Sequence, residues 1–189
     1  MQEAEAAYAI PAEKIIGRTI ANNNHRQKRS YSTLHNVTAK ATLTRPRVPA
    51  LCVDAACSGN PGVMEYRGVY LLDIHQDGEC EIEEFFRRGR FSDATNNIGE
   101  FLAIVHGLAM LQQQGNDTLP IYSDSKTAQS WVRMKKAKTT LVLTPNNAVV
   151  FDLIRRAEQW LQTHIWNNPI LKWDTPNWGE IPADFGRKH

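Results

Sequence analysis

The sequence predicts an α/β fold, a five-stranded mixed sheet flanked by helices in the order β-β-β-α-β-α-α-β-α. Three observations carry that expectation. Between Val48 and Arg90, three extended apolar-rich segments are separated only by short turns, as in an antiparallel meander. At Thr95 the apolar spacing changes from alternation to the three-and-four rhythm of a helix. Beyond it, short buried-strand signals alternate with helical ones, which calls for a sheet with helices packed on it.

The first strand is expected over Ala50 to Ala55, where Leu51, Cys52 and Val53 lead to Asp54, and Ser58-Gly59-Asn60-Pro61-Gly62 then makes a turn. A second strand, Val63 to Asp73, and a third, Glu79 to Arg90, flank the turn at Gln76-Asp77-Gly78. The first helix starts in Thr95-Asn96-Asn97-Ile98-Gly99-Glu100, with an Asn at the N-cap and Glu100 three residues on as a capping box. Phe101, Leu102, Val105, Leu108, Ala109 and Leu111 then recur until Gly115. A buried strand, Leu119 to Tyr122, ends on Ser123-Asp124-Ser125, and Ser125 caps a second helix running to about Met134.

After the basic connection Lys135 to Lys138 with Thr139 and Thr140, a third helix is expected over Asn147 to Thr163. Its buried face carries Val150, Leu153, Ile154, Ala157, Trp160 and Leu161. A last strand, Ile170 to Trp173, leads to a short terminal helix carrying Asp184.

Length and an ordinary apolar fraction favour one domain over residues 47–189, with residues 1–46 as an N-terminal extension. Two readings of that extension stay open: a nucleic-acid tether, from Arg26, Lys28, Arg29 and Tyr31, or a solvated tail. A net charge of +2 says little about partners. Three cysteines without a CxxC pair or a His at ligand spacing argue against a disulfide framework and a structural zinc site, and Cys52 reads as a small core residue. His106, among apolar residues, reads as structural. The sequence has no bilayer-length apolar run and no signal-peptide pattern, so a soluble, cytoplasmic protein is expected.

The chemistry lies in four acids placed where elements begin or end: Asp54, Glu100, Asp124 and Asp184. Each alone is an ordinary cap or turn residue. Gathered in one pocket they repel one another and become protonated unless cations share them. An all-oxygen set favours hard ions, Mg²⁺ first with Mn²⁺ as a substitute, and a pair of such ions suits phosphodiester displacement.

Four blocks, Asp54 with Gly59-Asn60-Pro61-Gly62, Thr95-Asn96-Asn97 with Glu100, Tyr122-Ser123-Asp124-Ser125, and Trp178-Gly179-Glu180-Ile181-Pro182-Ala183-Asp184, resemble in order the motifs of type 1 ribonuclease H. The C-terminal block and Ala137-Lys138-Thr139-Thr140-Leu141 are most similar to a bacterial, Bacillus halodurans-like subgroup. The resemblance covers roughly Val48 to the C-terminus. It implies a ribonuclease H-like fold and endonucleolytic hydrolysis of the RNA strand of RNA/DNA hybrids. Cleavage would use two Mg²⁺ ions, leave 5′-phosphates and depend little on base sequence.

By the same resemblance Asp54 bridges both metals, Asp124 and Asp184 each complete one coordination shell, and Glu100 also meets an RNA 2′-hydroxyl. Glu180, one helical turn before Asp184, aids metal positioning and product release. Asn60, Asn96 and Asn97 contact the minor groove or backbone; Thr95, Asn97, Thr139 and Thr140 form a pocket for a DNA phosphate; Trp131 lies against a DNA sugar. The resemblance implies a hybrid as partner, no protein partner and a monomer.

Three features depart from the pattern. Ala56 replaces the usual Gly or Ser, and the loop before Asp184 offers Asp174, Thr175 and Glu180 where many relatives carry a His. No aromatic-rich hybrid-binding module is recognisable in residues 1–46. Two alternatives stay open: a nuclease of the same fold acting on DNA, and a non-catalytic hybrid-binding module.

Overall fold

The structure, a computed structural model, describes residues 45–186. The chain divides into two units, Met1–Thr44 and Arg45–His189. The expected extension, residues 1–46, therefore lies outside the described residues save for its last two.

The described elements are strands β1 (Ala50–Gly59), β2 (Gly62–Ile74) and β3 (Cys80–Ala94), helix α1 (Asn96–Gln113), strand β4 (Ile121–Ser123) and helix α2 (Lys126–Met134). A 3₁₀ turn (Pro145–Asn147), helix α3 (Ala148–Thr163), strand β5 (Ile170–Lys172) and helix α4 (Thr175–Trp178) complete them. They form the expected mixed sheet, in the order β3-β2-β1-β4-β5. The first three strands pair antiparallel, whereas β1 with β4 and β4 with β5 run parallel.

β1 is central and buried on both faces, with Ala50, Leu51, Cys52 and Val53 all at 0% exposure. Its alternation divides the core. Leu51, Val53 and Ala55 face α1, which approaches so closely that a Cβ on Gly107 would lie 2.8 Å from Leu51 Cδ2. Ala50 and Cys52 face the opposite layer, where they join Val69, Leu71, Tyr122, Trp173, Ile181 and Ala183. Burial pushes the Cys52 thiol pKa up, consistent with an inert core residue.

Element types follow the sequence; several boundaries do not. β1 does not stop near Ala55 but continues to Gly59, and pairs with β2 all the way to a turn at Asn60-Pro61. Gly62 is required there, because a Cβ would lie 2.0 Å from Ser58 O. Ser125 caps α2 as expected, its hydroxyl accepting from Ala128 N–H at 3.1 Å. The capping box at α1 is absent: Thr95 is the N-cap, without a side-chain cap bond. Glu100 cannot serve as a cap partner, because it is buried on the side of the helix that meets the acidic cluster.

The terminal helix is also misplaced by the sequence reading. The short helix is α4, and Asp184 follows it in a non-helical turn closed by Asp184 N–H to Ile181 O at 2.7 Å. Pro182 lacks an amide donor, and the burial of Ile181 and Ala183 in the core holds this segment out of helical form. Glu180 is thus not a helical turn away from Asp184.

The tight docking of α1 sets the site, since Gly99 precedes Glu100. A Cβ at Gly99 would lie 2.7 Å from Ala55 Cβ and 2.9 Å from Met64 Sδ. Gly99→Val should therefore destabilise the fold by about 2–3 kcal/mol through overpacking. Urea denaturation checks this, and an unchanged midpoint would refute it.

Candidate active site

β4 pairs with β1 only at Leu51 and Cys52 and ends at Ser123. Beyond that point the two parallel strands are no longer paired, and their carboxyl ends are the usual place for a site in such sheets. Asp54 lies two residues past the last pairing on β1, and Asp124 immediately after β4. Glu100 enters from the second turn of α1. Carboxylate oxygens of Asp54, Glu100 and Asp124 all lie within 4.8 Å of one another.

Two of these acids are nearly sealed from water, Asp54 at 6% exposure and Glu100 at 3%. Desolvation is the largest effect on both. Asp54 is pushed up to about 7: burial and the charges of Asp124 and Asp184 raise it, against hydrogen bonds from Ala55 N–H and Glu100. Glu100 is raised well above the carboxylate range by burial, then by the charges of Asp54 and Asp124. The two carboxyls share a hydrogen bond, which one of them must donate in its protonated form. Asn96 Nδ2 donates to Glu100 Oε1 at 3.3 Å and Ser123 Oγ lies 3.5 Å from Oε2.

Asp184 stands outside the group of three yet close enough for its charge to raise Asp54. Its Oδ2 accepts from Gly186 N–H at 2.9 Å. Glu180 is exposed.

The other expected residues are arranged around these acids by their elements. Asn60 is exposed at the β1–β2 turn, Asn96 and Asn97 are exposed at the start of α1, and Thr95 is half-buried. Trp131 is only 6% exposed and packs edge-on against Phe101 at 6.0 Å, as a core residue does. Thr139 is half-buried, its Oγ1 accepting from Leu141 N–H; Thr140 is exposed. Thr175 begins α4.

Within the basic connection, Lys136 is held by Glu158 at 2.6 Å and Lys135 lies over Trp166, while Lys138 is exposed. His106 stacks on Phe86, and burial lowers its pKa to about 4, in keeping with a structural role.

Two supporting residues escaped the sequence reading. Asn147, 1% exposed, donates from Nδ2 to Asp93 O and Val142 O and accepts from Thr144 N–H. It clamps the segment after Thr140 to the end of β3, beside Thr95. Arg67, opposite Asp54 in register, donates to the carbonyls of Ala183 and Asp184. A charged residue amid the apolar signals of β2 was the only available hint.

The fold and site together define an α/β domain that gathers carboxylates at the ends of a parallel strand pair, an arrangement suited to divalent cations. No protein-family model matches the chain. Relatives do. A protein named Ribonuclease H from Ehrlichia chaffeensis is 33% identical over 113 residues, covering 58% of this chain and 66% of that protein. One of the same name from Dinoroseobacter shibae is 38% identical over 72 residues, covering 38% and 43%. A crystal structure of RNase H1 from Halobacterium salinarum overlaps at a TM-score of 0.43 with 21% identity, covering 68% of this chain and 87% of that one. The chain belongs to the ribonuclease H family. The matched stretches span about two thirds or less of these two curated relatives.

The raised pKa values fix a sign. A carboxyl whose folded pKa exceeds its unfolded one favours folding while protonated, and that contribution is lost as pH rises through the folded value. For Asp54 the window runs from 3.8 to about 7. In EDTA, stability should therefore fall as pH rises from about 4 to about 7, and Asp54→Asn should flatten that fall. Urea midpoints across pH check this; equal slopes in both proteins would refute it.

Proposed function

We propose that this chain hydrolyses the RNA strand of RNA/DNA hybrids endonucleolytically, using divalent metal held by its acidic cluster. The observation that carries the reading is the approach of Asp54, Glu100 and Asp124 within 4.8 Å, in a chain of the ribonuclease H family.

The residues fit a hard cation. All donors are oxygens, and two of them are desolvated to a degree that disfavours their charged forms unless a positive charge compensates. Asp54, Glu100 and Asp124 would hold the metal, with Asp184 beside Asp54. We assign two Mg²⁺ ions, for which Mn²⁺ substitutes. When bound, such ions activate a water and stabilise the leaving oxygen of a phosphodiester.

The chain's own groups supply the selectivity. Short exposed amides on Asn60, Asn96 and Asn97 suit recognition of 2′-hydroxyls on one strand. Thr95, Asn97, Thr139 and Thr140 suit a phosphate of the other, a contact that sets register without reading bases. The burial of Trp131 leaves only a small part of its ring for a sugar. Thr175 and Glu180 border the segment leading to Asp184 and are assigned supporting roles.

An intact acidic set argues against a pure binder, which would gain by losing charges that repel phosphate. We assign a monomer that acts without a protein partner. The thiols Cys52, Cys57 and Cys80 are free, which suits the reducing cytoplasm.

Incubation with labelled RNA/DNA hybrid, double-stranded RNA and double-stranded DNA tests the reading. Hybrid alone should be cut, with activity abolished by EDTA and restored by Mg²⁺ or Mn²⁺. Asp54→Asn should lower the rate by more than the ~10²-fold typical of losing a residue that merely supports a ligand. Cleavage of double-stranded DNA, or hybrid cleavage that survives EDTA, would overturn it.

A further inference from the structure

We propose that Arg67 is a positioning residue for Asp184, gripping the main chain of the terminal segment and so fixing the fourth carboxylate relative to the first. The inference rests on the divalent-metal reading of the acidic cluster.

Asp54 and Arg67 are directly opposed in the antiparallel β1–β2 register. Opposed residues project from the same face of a sheet, so both side chains share one layer. From there Arg67 Nε donates to Ala183 O at 2.8 Å, and a terminal guanidinium nitrogen donates to Asp184 O. One planar fork thus holds two successive carbonyls, a geometry that a lysine ammonium cannot reproduce. The Arg67 side chain is 17% exposed, with Glu84 at 3.8 Å and the Phe185 ring 4.8 Å from the guanidinium carbon.

The need for such a grip follows from the segment itself. Asp184 is carried by a turn, so no helical ladder locates it. Ile181 and Ala183 anchor the segment on its core side, and Arg67 anchors it from β2. The carboxylate extends only one methylene beyond Cα, so its place near Asp54 is set by the main chain. A misplacement of about 1 Å is enough to weaken a ligand constellation severely.

Calorimetric titration of the 189-residue chain with Mn²⁺ alone tests this, in the unaltered protein and in Arg67→Met, Arg67→Lys and Arg87→Met. Loss of a group that orients a metal ligand typically costs ~10–100-fold in affinity, and Arg67→Met should fall in that range. Arg67→Lys should recover part of the loss. Arg87 also lies over Phe185, at 5.3 Å, but its guanidinium is engaged by Glu84 and Glu65 on the sheet, so Arg87→Met should stay within about twofold. Hydrogen exchange over residues 181–186 should quicken in the metal-free Arg67→Met protein and not in Arg87→Met.

Unchanged Mn²⁺ affinity in folded Arg67→Met overturns the inference; should that variant fail to fold, unchanged affinity in Arg67→Lys does so. No Mn²⁺ binding by the unaltered chain overturns the metal reading and this inference with it. Mn²⁺ binding without hybrid cleavage overturns only the proposed activity, leaving the role of Arg67 to stand or fall on the titrations.

Discussion

Asp54 and Glu100 stand against each other out of water, and the free energy of that arrangement depends on what neutralises them. A buried carboxylate with no counter-charge costs several kcal/mol, so the pair keeps a proton between its members when nothing else is present. Much nearby structure follows from this. Asn96 turns its amide to Glu100, and Ser123 brings a hydroxyl to the same carboxyl. The glycine before Glu100 lets α1 lie close enough on β1 for the acid to reach its partner.

The site exists because one strand outlasts its neighbour. β1 and β4 are parallel for two residue pairs, after which β4 turns into α2 while β1 continues along β2. A parallel pair of equal length would have sealed Asp54 between main chains. The short β4 leaves Asp54 without a partner on that side, while β2 stays paired to β1 through Gly59.

Much of this was legible in the sequence, because strand alternation and helical spacing are strong local signals. The sheet, α1, α3 and the Ser125 cap all declare themselves in residue order. What escaped was tertiary. Asp54 seemed to end a strand, but a strand's end toward one neighbour and toward the other are different properties, and only the second is written in the turn residues. Glu100 is legible as one of the acids, but the capping box suggested by its spacing does not form, because burial turns the side chain to the cluster. Asp184 was placed in a helix because nothing local announces that Ile181 and Ala183 are held by the core. Arg67 and Asn147 work on main-chain atoms far away in sequence, and such bonds leave no periodicity to read.

The Asn147 clamp has a consequence in conformational entropy. Its side chain ties the segment after Thr140 to the end of β3 through bonds to Asp93 and Val142, and it is itself shut away from solvent. Ordering a free loop costs on the order of 1–2 kcal/mol per residue in backbone freedom alone. Here that cost falls in folding, before any ligand arrives. A nucleic acid settling on Thr139 and Thr140 would thus meet a surface already fixed at its far end, and could spend its contacts on holding strands apart by chemistry instead of on quieting a loop.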